Sequence, residues 1–146
     1  MNLFKLSEAA NLAVHALAYM AANGRGELIS AVEMAEQLSC SRDHLNKVMQ
    51  RLVHARLVSS RRGPRGGFTL ERAPQGLMLL EIVEALDGPI EKGRCGLGVC
   101  GGRCALDALS HAVHEQVERT LATTPLSAMP AGAGRQGGGK LVAAGR

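Results

Sequence analysis

With 146 residues, 46% of them hydrophobic but only 2% aromatic, the chain can build one helical core of Leu, Val, Ala and Met, plus an appendage. No apolar run approaches the roughly 20 residues that span a bilayer, and MNLFKLSEAANL lacks the basic-then-apolar order of a secretory leader. The expected setting is therefore the reducing cytoplasm, without a membrane partner. The net charge of +4 is unevenly spread: from Arg42 to Arg72 eight Arg and Lys residues stand against two acids, a local +6 that leaves −2 for the remainder and points to a polyanionic partner.

Ser7 is placed to cap a first helix running to about Ala22, with Leu12, Ala13, Leu17 and Met20 at helical spacing. Two glycines, Gly24 and Gly26, end it. Ser30 and Glu33 form an S-x-x-E capping box for a second helix to about Leu38. After the short turn Ser39-Cys40-Ser41, Ser41 caps a third helix from Arg42 to about Ala55, whose apolar stripe is Leu45, Val48, Met49 and Leu52. The runs at 57–60 and 67–70 read as two short strands. They flank Arg61-Arg62-Gly63-Pro64-Arg65-Gly66, which reads as a hairpin tip. Beyond Pro74, a helix spans Leu77 to Leu86. A last helix follows from Cys104 to about Ala122, with Leu106, Leu109, Val113, Val117 and Leu121 on one stripe that a second copy of the chain could cover. From Pro125 to Arg146 the chain is Gly- and Ala-rich without an acid, and reads as a disordered basic tail. Three segments result: a DNA-reading unit over 1–74, a helix, cysteine loop and dimerisation helix over 75–124, and the tail over 125–146.

Helix, three-residue turn, helix and basic hairpin, in that order, make a winged helix-turn-helix in a mainly α chain. The third helix fits a major groove, where Ser41, Arg42, Asp43, Asn46 and Lys47 lie on or near its leading end. Arg61, Arg62 and Arg65 on the hairpin suit a phosphate strand or the minor groove. The lone Cys40 reads as a small packing residue.

The run RCGLGVCGGRC places Cys95, Cys100 and Cys104 within ten residues, among glycines. Thiolates at this density select soft centres: an iron–sulfur cluster, zinc, or a thiol redox switch. Three thiolates leave a fourth ligand to find. Asp107 lies one turn beyond Cys104, about 4.5 Å along a helix axis, whereas His111 lies about 10.5 Å on and His114 about 15 Å on. The scattered histidines show no nucleophile–base pairing, so neither an enzyme nor a small-molecule substrate is expected.

The run SCSRDHLNKVMQRLVHARLVSSRRGPRGGFTL, followed by LMLLEIVEALDG and a three-cysteine loop, resembles the Rrf-two (redox-responsive factor) family of bacterial winged-helix regulators over roughly residues 1–122. SRDHLNKV is similar to the nitric-oxide-sensing NsrR branch, and CGLGVCGGRCALDAL to the IscR branch. The resemblance implies a homodimer joined through the long C-terminal helix. It also implies a 2Fe–2S or 4Fe–4S cluster on Cys95, Cys100 and Cys104 whose state controls binding to double-stranded DNA. Glu8 matches the position of an acidic residue that ligates the cluster from the other subunit in the NsrR branch. Asp107 stands where the IscR branch has a histidine ligand. The cysteine gaps of four and three are shorter than is common in the family. A zinc-stabilised or thiol-switched regulator remains the alternative. An electron-transfer or cluster-carrier protein would have no use for the helix-turn-helix and wing.

Overall fold

The computed structural model describes residues 5–24, 26–90 and 104–130. In chain order these form α1 (Glu8–Asn23), α2 (Ala31–Gln37), α3 (Arg42–His54), β1 (Val58–Arg61), β2 (Gly67–Leu70), α4 (Leu79–Asp87) and α5 (Ala105–Thr123), with single 3-10 turns at Pro74–Gly76 and Leu126–Ala128. The fold is a winged helix-turn-helix extended by two helices.

The caps read from the sequence are in place. The hydroxyls of Ser7, Ser30 and Ser41 accept hydrogen bonds from the backbone N–H groups of Ala10, Glu33 and His44, satisfying donors that an uncapped helix start leaves open. The turn between α2 and α3 is closed by Ser39 in the left-handed region, at φ 52°, and the chain leaves α3 through Arg56 at φ 57°. Neither is a glycine, the residue that adopts this conformation without steric cost.

The stripe on α3 is buried as its spacing requires. Leu45, Met49 and Leu52 are fully enclosed, and Val48 nearly so. They pack with Leu17 of α1, Met34 of α2 and Ile82 of α4 in a single core cluster, so α4 shares one core with the helix-turn-helix. Shortening Leu52 to Ala in this core is expected to cost about 2–5 kcal/mol by lost transfer energy plus the cavity left behind. Thermal unfolding measured by circular dichroism checks this.

The strands pair antiparallel, Val58 with Leu70 through Arg61 with Gly67. Ile29 adds a bridge to Phe68, each backbone N–H donating to the other's carbonyl at 2.9 Å. A side chain at Gly67 would put its Cβ 2.4 Å from the Ile29 carbonyl oxygen, so the wing can lie against this segment only with glycine there.

Two arginines of the basic block are spent on the fold. Arg51 donates to the Leu86 carbonyl in the last turn of α4, and Arg72 pairs with Glu81. Burial pushes the Glu81 carboxyl up, but the hydrogen bond from Arg72, that from the Met78 backbone N–H and the Arg72 charge outweigh it and hold the group below its ordinary range. At the far end of the molecule, Leu126 donates its N–H to the Leu77 carbonyl at 2.7 Å, and Leu79 donates to the Thr124 carbonyl at 3.0 Å. Both Leu77 and Leu126 are buried. α4 begins at Leu79, two residues later than expected, and where a disordered tail was expected from Pro125, Leu126 is buried while Pro125 and Met129 are partly covered. Residues 131–146 lie outside the described residues.

Candidate functional site

The N-terminal two-thirds of α3, the start of α2 and the hairpin enclose a concave space of about 490 Å³. Arg42, Asn46 and Gln50 line it from α3, Arg61 and Arg62 from the wing, and Ser30 and Val32 from the chain entering α2. No Asp or Glu is among the lining residues, so the space presents three guanidinium groups unopposed. The wing holds its shape through a Gly66 N–H to Gly63 carbonyl hydrogen bond of 2.9 Å, with Gly63 at φ 117°.

Of the residues expected to read DNA, the fold thus gathers Arg42, Asn46, Arg61 and Arg62. Ser41 serves as the helix cap. Asp43 and Lys47 are exposed on α3 outside the lined space, and Arg65 is exposed at the wing tip. Gln50 is the lining residue of α3 that the sequence reading missed. Its position four residues beyond Asn46 and eight beyond Arg42 was the available signal. Burial pushes the Cys40 thiol up, against a smaller backbone hydrogen-bond effect, which keeps it protonated and fits a packing role.

The ligand candidates are only partly within view. Cys95 and Cys100 lie outside the described residues. Cys104 is half-buried at the N-cap of α5. Asp107 stands in the first turn, with its Oδ2 3.7 Å from Nε2 of His111. Among the described residues no three His, Cys, Asp or Glu side chains form a metal-holding group. The donor chemistry of the cysteine segment fits a thiophilic centre, and Cys104, at the start of α5, would be one of the thiols that hold it.

Glu8 is exposed in the first turn of α1. The preceding residue, Ser7, is tied to Asp87 at the end of α4: the Ser7 hydroxyl donates to Oδ1, and its backbone N–H donates to Oδ2 at 3.1 Å. The first turn of α1 is thereby fixed beside the point where the chain departs toward the cysteines. Leu6 shares a cavity with Val113 and Val117 of α5. Val113 lies nine residues beyond Cys104, about 13.5 Å along the axis, so the start of α1 borders the middle of α5 rather than its first turn.

The family model described as Rrf2, iron-dependent transcriptional regulator, matches residues 6–131. The chain belongs to the Rrf2 family. It is 31% identical over 108 residues to the HTH-type transcriptional regulator IscR of Escherichia coli K12, covering 72% of this chain and 67% of that protein. Among solved structures, the Rrf2 fold seen here is similar to CymR, the global cysteine regulator of B. subtilis, with a TM-score of 0.75 and 24% identity over 84% of this chain and 93% of that one. It is also similar to T. potens IscR, with a TM-score of 0.68 and 25% identity over 84% and 83%. Rrf2 proteins are DNA-binding transcription regulators. Among the described residues no helix is long and apolar enough to cross a membrane.

Proposed function

We propose that this Rrf2 protein is a homodimer that binds palindromic or near-palindromic duplex DNA, and that an iron–sulfur cluster on Cys95, Cys100 and Cys104 sets its affinity. The observation that carries the DNA part is the acid-free space between α3 and the wing, lined by Arg42, Asn46, Arg61 and Arg62. Arg42 and Asn46 face base edges, the wing arginines hold phosphate, and Arg65 extends that grip at the tip. Ser41, Asp43 and Lys47 flank the base-reading row.

The cluster reading is supported by the thiolate donor set and by the family's description as iron-dependent. A carboxylate completes the set, Glu8 or Asp107. Such a centre would supply a redox- and nitric-oxide-sensitive group, and the carboxylate, an oxygen donor, would hold its iron less tightly than the thiolates do. What this chain adds is the Ser7–Asp87 tie, which joins the departure point of the cysteine segment to the first turn of α1. Through α1, which packs on both α3 and α4, a change at that point reaches the recognition helix.

Dimerisation through α5 is supported by its leading half. Leu106 and Leu109 are 71% and 55% exposed, with Val113 partly covered, whereas Leu121 at the other end is buried. Replacing Leu106 and Leu109 together by Glu is expected to convert a dimer to a monomer in sedimentation velocity. The same variant should bind a palindromic duplex at least tenfold more weakly, since one half-site grip is lost. A variant that stays dimeric would place the interface elsewhere.

A further inference from the structure

We propose that Gln50 reads a base edge in the major groove, preferring adenine, about two base-pair steps from the base read by Asn46. This rests on the DNA-reading role of α3 given above.

Arg42, Asn46 and Gln50 line the same concave space and follow one another at intervals of four along α3. Four residues advance about 6 Å along a helix axis, close to two base-pair steps of about 3.4 Å. When the helix lies along the groove, neighbouring members of this row therefore meet bases two steps apart. The chemistry of the row is graded. A guanidinium only donates, so Arg42 suits phosphate or the acceptor edge of guanine. Asn46 and Gln50 carry an amide, a donor and an acceptor on one planar tip. That tip matches the N6 donor and N7 acceptor that adenine presents in the major groove.

Neither amide is spent inside the protein: among the described residues neither side chain has a hydrogen-bond partner, in contrast to Asn23, whose amide donates to the Tyr19 carbonyl. Gln50 is also exposed, and the side chain next to it, Arg51, is taken up by its hydrogen bond to the Leu86 carbonyl. The side chain that the fold does not need is the one that faces the lined space.

The test is selection of binding sites from a random-sequence duplex library by the anaerobically purified full-length chain and its Gln50→Ala, Gln50→Glu and Asn46→Ala variants. The wild type should show two adenine-preferring positions two steps apart in each half-site. Gln50→Ala should flatten one of them, reducing its discrimination roughly tenfold, and Asn46→Ala should flatten the other. Gln50→Glu should move the preference at its own position toward cytosine, whose N4 amino group donates to a carboxylate. Uniformly weaker binding with every base preference intact would make Gln50 a phosphate or water contact and overturn the inference. A wild type that enriches nothing would overturn the DNA-reading role itself, and this inference with it.

Discussion

Replacing Arg61, Arg62 and Arg65 together by Ala is expected to weaken duplex-DNA binding on the order of 10³-fold, taking about 1.5 kcal/mol for each charged contact. The three side chains are exposed, and two of them line the space beside α3. Their loss leaves the core untouched, so the variant should keep its thermal stability. The more telling readout is the salt dependence. Each phosphate contact releases counterion, so the slope of log Kobs against log salt should fall in magnitude by about 0.9 per contact, roughly 2.7 for the triple variant. Fluorescence anisotropy at four or five salt concentrations measures both quantities. Binding and slope both unchanged would remove the wing from the interface. In contrast, Arg51→Ala should lower stability, because that guanidinium holds the end of α4 and not a phosphate.

Replacing any one of Cys95, Cys100 and Cys104 by Ala is expected to abolish, or nearly abolish, the visible absorption of anaerobically purified protein and the iron and sulfide that accompany it. Cluster irons are held by thiolates, and three are the most this segment offers. The carboxylate variants should behave differently. Glu8→Ala or Asp107→Ala should leave a spectrum but speed cluster loss on exposure to air, since an oxygen ligand contributes less to holding iron than a thiolate does. The two separate in a mixed-dimer experiment: a ligand supplied across the dimer by Glu8 is rescued by pairing a Glu8→Ala chain with a Cys104→Ala chain, whereas Asp107, one turn from Cys104, is not. Loss of colour only in His111→Ala would assign the fourth position to the partner of Asp107 instead.

Local signals carried most of the helical reading. Ser7, Ser30 and Ser41 cap the helices that they announce, because a hydroxyl facing open N–H groups needs only its immediate neighbours. The stripe Leu45, Val48, Met49 and Leu52 is buried because its period is set by the helix itself. Long-range contacts were not legible. Nothing local to Arg51 marks it as a clamp on Leu86, 35 residues away, and nothing local to Ser7 points to Asp87. The left-handed turns at Ser39 and Arg56 carry no glycine to give them away. Leu126 was read into a disordered basic tail because its partner, Leu77, stands far back in the sequence, before α4 and α5. Gln50 was overlooked for a related reason: on charge alone it is neutral, and only the wing folding alongside α3 shows what it faces.

The proposed function couples a cluster on the cysteine segment to the grip of α3 and the wing on DNA. The most direct test takes a single anaerobic preparation, records its visible spectrum, and measures its Kd for a selected palindromic duplex before and after removal of the cluster. The expected result is a coloured, iron- and sulfide-containing dimer whose Kd changes at least tenfold when the colour is lost, with the Cys104→Ala variant fixed at the cluster-free value. A colourless protein with stoichiometric zinc, or a Kd that stays the same through cluster loss, would contradict it.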